Sequence, residues 1–244
     1  MTPTAAILII GNEILSGQTQ DVNVAYLSQE LADVGIDVME VRMVLDDKEA
    51  IIAAVHDLKK YTYVFTTGGI GPTHDDITAN AMACAFNVPL ESNPEALKRM
   101  NDRYPTSKSP QALVSMSYIP RGAHLIDNPH SAAPGFQIGN VYVMAGVPVI
   151  MQSMFKTLVP RLEKGSIKHD IKFVVSVAEG VIAADLKVIQ EENPTIDIGS
   201  YPRIVSQGHN LLIVAKGRDK QALKQVEEKL IQMFAHHQID VSYG

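Results

Sequence analysis

Between Tyr63 and Thr78 the chain reads YVFTTGGIGPTHDDIT, and the chemistry of the whole sequence is concentrated there. Gly68, Gly69 and Gly71 are followed by Pro72 and Thr73, and then by the adjacent carboxylates Asp75 and Asp76. Glycines permit positive φ and let a ligand come close to the backbone. A glycine-rich turn between a strand and a helix offers free N–H groups to a phosphate. No lysine follows the glycines, so this is not a Walker loop. A helix N-terminus carries only about +0.5 charge. A carboxylate about 5 Å from a phosphate oxygen costs roughly 3 kcal/mol at an effective dielectric of ~20. Mg²⁺ removes that conflict, because it binds one or two carboxylates together with phosphate oxygens. The pattern therefore points to a metal-assisted nucleotide or phosphate site, with Asp76 chosen over Asp75 as the metal-facing acid. The competing reading makes Thr73-x-x-Asp76 a capping box for the helix that follows.

The elements that must position these residues come next. Val64 to Thr66 ends a short apolar strand, and the alanine-rich run from Ala79 to Ala85 predicts a helix. Ala5–Ile10 is a continuous apolar run, as expected of a strand in a parallel sheet covered on both faces. It leads into Gly11, Asn12 and Glu13, within a predicted loop GNEILSGQTQDVN. Val22–Leu31 predicts a helix, Asp37–Val44 a strand ending at Asp46-Asp47, and Lys48–Lys60 a helix. The order β-α-β-α-β-loop-α is that of a doubly wound α/β fold with a mostly parallel sheet. In such sheets ligands bind at the carboxyl ends of the strands. Gly11, Asn12, Glu13, Asp46 and the glycine loop are thereby expected on one edge.

Farther along, Asn93–Arg103 predicts a helix and Tyr104–Pro120 a polar connector that either crosses the surface or covers the ligand. Gln137–Met144 predicts a hairpin about Gly139-Asn140. Pro148 suits the first turn of a helix running to about Leu162. The polar segment Glu163–His169 predicts a domain boundary. The expected domains are residues 1–165 and a small α+β domain, residues 166–244, of ferredoxin-like or KH-like type. Net charge is −6 over 244 residues, which disfavours non-specific nucleic-acid binding. The N-terminus shows no signal-peptide pattern and no membrane span, so a cytoplasmic location is expected. A single cysteine, Cys84, can form no intrachain disulfide.

TTGGIGPTHDDIT resembles the signature loop of the MoaB/Mog molybdopterin-binding fold, and its GPTHDD form resembles the CinA branch, the competence/damage-inducible proteins. IGNEILSGQTQDVNVAYLSQEL, VLDDKEAI, SAAPGF and AGVPVIM are similar to further CinA segments, so the resemblance covers most of residues 4 to 165. It implies a catalytic, metal-associated role for Asp76 and Asp46. It implies ligand contacts from Thr67, Gly68, Gly69, Gly71, Pro72 and Thr73, and from Gly11, Asn12, Glu13, Ser16 and Asn23. It extends them to Ser131, Pro134 and Gly135 of SAAPGF and to Gly146 and Pro148 of AGVP. Two departures stand out: Ser131-Ala132 replaces a common Gly-Thr, and Ile150 occupies the place of a common Glu. The resemblance implies a divalent-metal-dependent hydrolase of nucleotide diphosphate linkages, of the ADP-ribose or FAD type, and a homo-oligomer. Molybdopterin is the alternative ligand, for an adenylyltransferase or for a binding module without turnover.

Overall fold

The computed structural model of the 244-residue chain describes residues 2–204 and 209–244, and the chain divides into two compact units, Met1–Gly165 and Ser166–Gly244. In the first unit β1 (Thr4–Ile10) is followed by α1 (Asn12–Leu15), α2 (Asn23–Asp33), β2 (Asp37–Val44), α3 (Lys48–Leu58), β3 (Tyr63–Thr67) and α4 (Thr78–Ala85). Then come β4 (Leu90–Ser92), α5 (Pro94–Arg103), α6 (Pro110–Met116), β5 (Tyr118–Pro120), β6 (His124–Ile126), β7 (Gly135–Ile138), β8 (Val141–Met144) and α7 (Pro148–Leu158). One 3₁₀ turn, Val159–Arg161, follows α7.

Six strands form one sheet in the order β2-β1-β3-β8-β7-β6. β1 pairs parallel with β2 and β3, and β3 parallel with β8, whereas β7 runs antiparallel to β8 and β6 to β7. The continuous apolar run of β1 follows from its central place. Ala5, Ile7 and Ile9 face a core shared with Leu27 and Leu31 of α2 and Met154, Phe155 and Leu158 of α7. Ala6, Leu8 and Ile10 face the opposite core, built with Ile51 and Val55 of α3 and Ala81 and Met82 of α4. Period-two alternation divides one strand between two cores. This is the doubly wound, mostly parallel α/β sheet expected from the sequence. The carboxyl ends of β1, β2, β3 and β8 consequently lie on the same edge.

Several local expectations are corrected. Residues 12–15 form a short helix rather than loop. The connector 104–120 contains α6 and β5, and β5 pairs with β4 in a separate two-stranded sheet. α6 buries only Leu113, so it carries almost no apolar periodicity to read. The helix begun at Pro148 ends at Leu158 and tightens into the 3₁₀ turn before Leu162.

The second unit contains β9 (His169–Val175), α8 (Glu179–Glu192), β10 (Asp197–Ile204), β11 (His209–Gly217), α9 (Lys220–His236) and β12 (Val241–Tyr243). Its strands form an antiparallel sheet in the order β10-β11-β9-β12. That β-α-β-β-α-β order is the split βαβ arrangement. Asp219 accepts hydrogen bonds from the N–H groups of Gln221 and Ala222 and so caps α9. Phe173, Ile213, Val226 and Phe234 belong to its core. β12, with three exposed residues, is too short to give a sequence signal. Among the described residues no helix is long and apolar enough to cross a membrane.

Candidate functional site

A cleft of about 570 Å³ opens at the carboxyl edge of the large sheet. Its lining includes Gly11 and Glu13 after β1, Asp46 after β2, Gly68 to Thr73 with Asp75 and Asp76 after β3, and Ala145 to Pro148 with Ile150 after β8. Thr19, Met116, Asn128, Ser131 and Ala133 complete much of the remainder. The strand order accounts for the convergence of the loops after β1, β2, β3 and β8.

The glycine turn is built by close backbone contacts. Gly68 has φ of 108°, and a Cβ placed there would lie 2.0 Å from the Ile10 carbonyl oxygen. Gly69 has φ of 66°, and its Cβ would lie 2.2 Å from Thr78 Oγ1. No other residue type fits either position without displacing β1 or the start of α4. Fully buried Thr78 locks the turn: its hydroxyl donates to the Gly68 carbonyl at 3.0 Å and its N–H to the Gly69 carbonyl at 3.1 Å. Sequence reading missed this role, although a threonine at the first helical position after a glycine turn carries the signal.

Asp76 is not on α4, which begins at Thr78. Its Oδ1 accepts from the Gly71 N–H at 2.7 Å, and its Oδ2 from the Thr73 N–H at 2.7 Å. The Thr73 hydroxyl lies 2.5 Å from Asp76 Oδ2 and 2.5 Å from Asp75 Oδ1; with one proton it donates to one carboxylate at a time. The capping-box pair thus exists, but it ties the loop to itself instead of capping the helix. The Thr73 hydroxyl, helped by the residue's own backbone N–H, holds the Asp75 carboxyl below the usual carboxylate range. Asp75 and Asp76 both precede the helix.

Asp46 is held differently. Its Oδ2 accepts from the Asn12 N–H at 2.9 Å, while Asn12 Oδ1 accepts from the Asp46 N–H at 3.2 Å. This reciprocal clip joins the ends of β1 and β2 and leaves Asp46 Oδ1 without a hydrogen-bond partner among the described residues. Neighbouring Asp47 caps α3 by accepting from the Ala50 N–H at 2.8 Å. Glu13 folds back over Gly11, so that a Cβ at Gly11 would lie 2.7 Å from its carboxylate oxygens.

The residues expected from SAAPGF and AGVP separate into two groups. Ser131, Gly146 and Pro148 line the cleft. Pro134 lines a smaller recess of about 40 Å³ that shares Gly69, Gly71, Asp76 and Met116 with the cleft. Gly135 and Thr67 are strand residues: a Cβ at Gly135 would lie 2.3 Å from the Val143 carbonyl oxygen, and Thr67 pairs with both Ile9 and Met144. Asn12, Ser16 and Asn23 also stand outside the cleft wall. Asn23 acts from behind it, donating from Nδ2 to the Gly146 carbonyl at 2.8 Å. Asn128, not anticipated from the sequence, organises the loop carrying Ser131 and Ala133. Its Nδ2 donates to Ser131 Oγ at 2.7 Å and to the Ala133 carbonyl at 2.8 Å, and its Oδ1 accepts from the His130 and Ser131 N–H groups at 3.1 Å. The Asn128-Pro129 turn signal in the sequence marks the position. The loop places Ala132 at φ of 62°, a left-handed conformation that costs a non-glycine residue about 1–2 kcal/mol. Met116 reaches the cleft from α6, so the connector contributes to the cleft lining.

Electrostatically the cleft is acidic. Four carboxylates, Glu13, Asp46, Asp75 and Asp76, line it, and no Lys, Arg or His does so among the described residues. Nor does any group of three or more His, Cys, Asp and Glu among the described residues form a metal cage by itself. The donor set therefore fits a cation whose coordination is completed by ligand oxygens, as Mg²⁺ prefers. Asp46 has more unused acceptor capacity for such an ion than Asp76, both of whose oxygens already accept from loop N–H groups, while the Glu13 carboxylate accepts from no donor among the described residues.

A family model described as "Probable molybdopterin binding domain" matches residues 6–164, and one described as "FAD synthase, middle domain" matches residues 169–242. A protein of Archaeoglobus fulgidus is 36% identical over 229 residues, covering 92% of this chain and 96% of that protein. A protein of Pyrobaculum calidifontis is 32% identical over 257 residues, covering 96% of this chain and 98% of that protein. Among solved structures, the CinA protein of Thermoplasma acidophilum, described as of unknown function, superposes with a TM-score of 0.61 at 31% identity. That match covers 66% of this chain and 98% of the CinA chain.

Proposed function

The chain belongs to the probable molybdopterin-binding domain family, and on that premise we propose that it is a divalent-metal-dependent hydrolase of nucleotide diphosphate linkages, acting on molecules of the ADP-ribose or FAD type. One observation carries this reading: a glycine turn of phosphate-binding type lies among four carboxylates in a cleft whose described lining contains no basic side chain. A bare diphosphate would be repelled there. A diphosphate that arrives with a divalent cation would be held.

Asp46 and Asp76 would hold the cation, which when bound supplies charge neutralisation and a lowered pKa for water. The chain's own residues do the rest. The glycine turn brings backbone close to the phosphates, and Asp76 fixes the shape of that turn through Gly71 and Thr73. The N-terminus of α7, which has no side-chain cap, adds a partial positive charge at Gly146–Pro148. Water would attack one phosphorus of the anhydride and the bridging oxygen would leave with the other phosphate. ADP-ribose would give AMP and ribose 5-phosphate, and FAD would give AMP and FMN.

The test is a chromatographic product assay with ADP-ribose, FAD and NAD, each with Mg²⁺, Mn²⁺ or Co²⁺ and with an EDTA control. Metal-dependent AMP release supports the reading, and absence of turnover with every pair refutes it. The family's description favours a second reading, a pterin ligand either adenylylated at ATP's expense or bound without turnover. It predicts pterin binding with ATP consumption only when pterin is present, or with none. Either reading goes with a homo-oligomer, which sedimentation of the intact chain would report.

A further inference from the structure

The order of strands also orders the chemistry along the cleft. Following β2-β1-β3-β8, the loops supply Asp46, then Gly11 and Glu13, then the glycine turn, then Val147 and Ile150. Strand spacing of about 4.8 Å makes this a path of roughly 14 Å from the acidic end to the β8 end. At the β8 end Val147 and Ile150 line the cleft, and Ile70 and Met116 contribute further apolar surface to it. Val147 is 53% exposed, so its side chain offers open apolar surface at this end of the cleft. Ile150 is half-buried against the core and presents its remainder to the cleft, at the position where a glutamate would have made a fifth carboxylate.

We propose that Ile150, with Val147, Ile70 and Met116, forms the subsite for the flat heteroaromatic base of a nucleoside diphosphate whose phosphates lie over the glycine turn. The inference rests on the diphosphate reading above and adds the part of the ligand that the apolar wall selects. Adenine and a diphosphate would then occupy neighbouring parts of one cleft. The base contributes affinity through the apolar area that it covers, and the phosphates through the loop.

The test compares ADP with inorganic pyrophosphate, both with Mg²⁺, by calorimetric binding to the intact chain and to Ile150→Gln, Ile150→Ala and Ile150→Met. Ile150 is the third residue of α7, where glutamine suits the first turn, so the polar variant preserves the helix start. The wild type should bind ADP about tenfold or more tightly than pyrophosphate, which corresponds to about 1.4 kcal/mol. Ile150→Gln and Ile150→Ala should remove most of that preference while pyrophosphate affinity stays within about twofold, and Ile150→Met should retain it. Unchanged pyrophosphate binding also reports an intact fold. A wild type that binds ADP no better than pyrophosphate overturns the proposal, as does a preference that survives both Ile150→Gln and Ile150→Ala. If the preference behaves as stated but no AMP is released from any dinucleotide, the hydrolase reading fails and the base subsite stands.

Discussion

Gly71→Ala tests whether the Asp76 tie shapes the ligand loop. Gly71 does not lie in the positive-φ region, so alanine there costs no backbone strain. Its Cβ, however, would sit 2.7 Å from Asp76 Oδ2 and 3.1 Å from Oδ1. An ordinary carbon–oxygen contact is about 3.3 Å or longer, so the carboxylate must retreat by roughly 0.6 Å. The hydrogen bond from the Gly71 N–H, now 2.7 Å, would then exceed the short range of charge-assisted bonds. Losing such a bond costs about 1.5–3 kcal/mol. In a unit of this size that lowers the melting temperature by about 3–10 °C. Because Gly71, Thr73 and Asp76 all line the cleft, Mg²⁺–ADP affinity should fall by about tenfold or more. Differential scanning calorimetry and calorimetric binding on one preparation give both numbers. A variant with wild-type melting and wild-type ADP affinity would show that the loop does not depend on the Asp76 carboxylate.

Other expectations follow from the same geometry. Thr73→Val should return the Asp75 carboxyl toward its ordinary value, as carboxylate NMR titration would show, because the Thr73 hydroxyl is the main cause of its depression. The sign is that of a lowered carboxylate pKa: whatever stability the contact gives is present above the unfolded value and is lost as pH falls through the folded one. Asn128→Ala removes four hydrogen bonds around Ser131 and Ala133 and should cost about 2–4 kcal/mol in thermal or urea unfolding. Ala132→Gly relieves the positive φ and should raise stability by about 0.5–1 kcal/mol in the same assay.

The frame of the fold was legible because β1, β2 and β3 obey simple periodic rules. Ala5–Ile10 reads as a strand covered on both faces because Ile7 and Leu8 serve two different cores. The convergence of Gly11, Asp46 and Gly68 followed from parallel pairing alone. What remained hidden depends on contacts distant in sequence. Asn23 reads as a ligand-loop residue, yet its amide reaches Gly146 from behind the cleft wall, across 123 positions. Gly135 sits in a turn-like SAAPGF, yet it begins a strand packed against the Val143 carbonyl. α6 and β4 are short and carry little periodicity, so Met116 could not be placed in the cleft from its spacing. The roles of Asp46 and Asp76 differ by which donors they meet, Asn12 in one case and Gly71 with Thr73 in the other. No local pattern separates a carboxylate that holds a loop from one with an oxygen to spare.

That difference makes Asp46→Asn the variant that isolates the metal-holding charge. Asparagine keeps an oxygen to accept from the Asn12 N–H, now 2.9 Å away, so the clip between β1 and β2 survives while the charge is removed. Asp76 is a poorer probe, since its replacement would free the Gly71 and Thr73 N–H groups and disturb the loop as well. The measurement is AMP release from ADP-ribose and FAD by the wild type and Asp46→Asn, with Mg²⁺ and with EDTA, alongside their melting temperatures. The wild type should release AMP in a Mg²⁺-dependent way, Asp46→Asn should lose about a hundredfold or more of that rate, and the melting temperatures should agree within about 2 °C. Undiminished Mg²⁺-dependent turnover in Asp46→Asn, or wild-type turnover that EDTA leaves untouched, would contradict metal-dependent hydrolysis through Asp46.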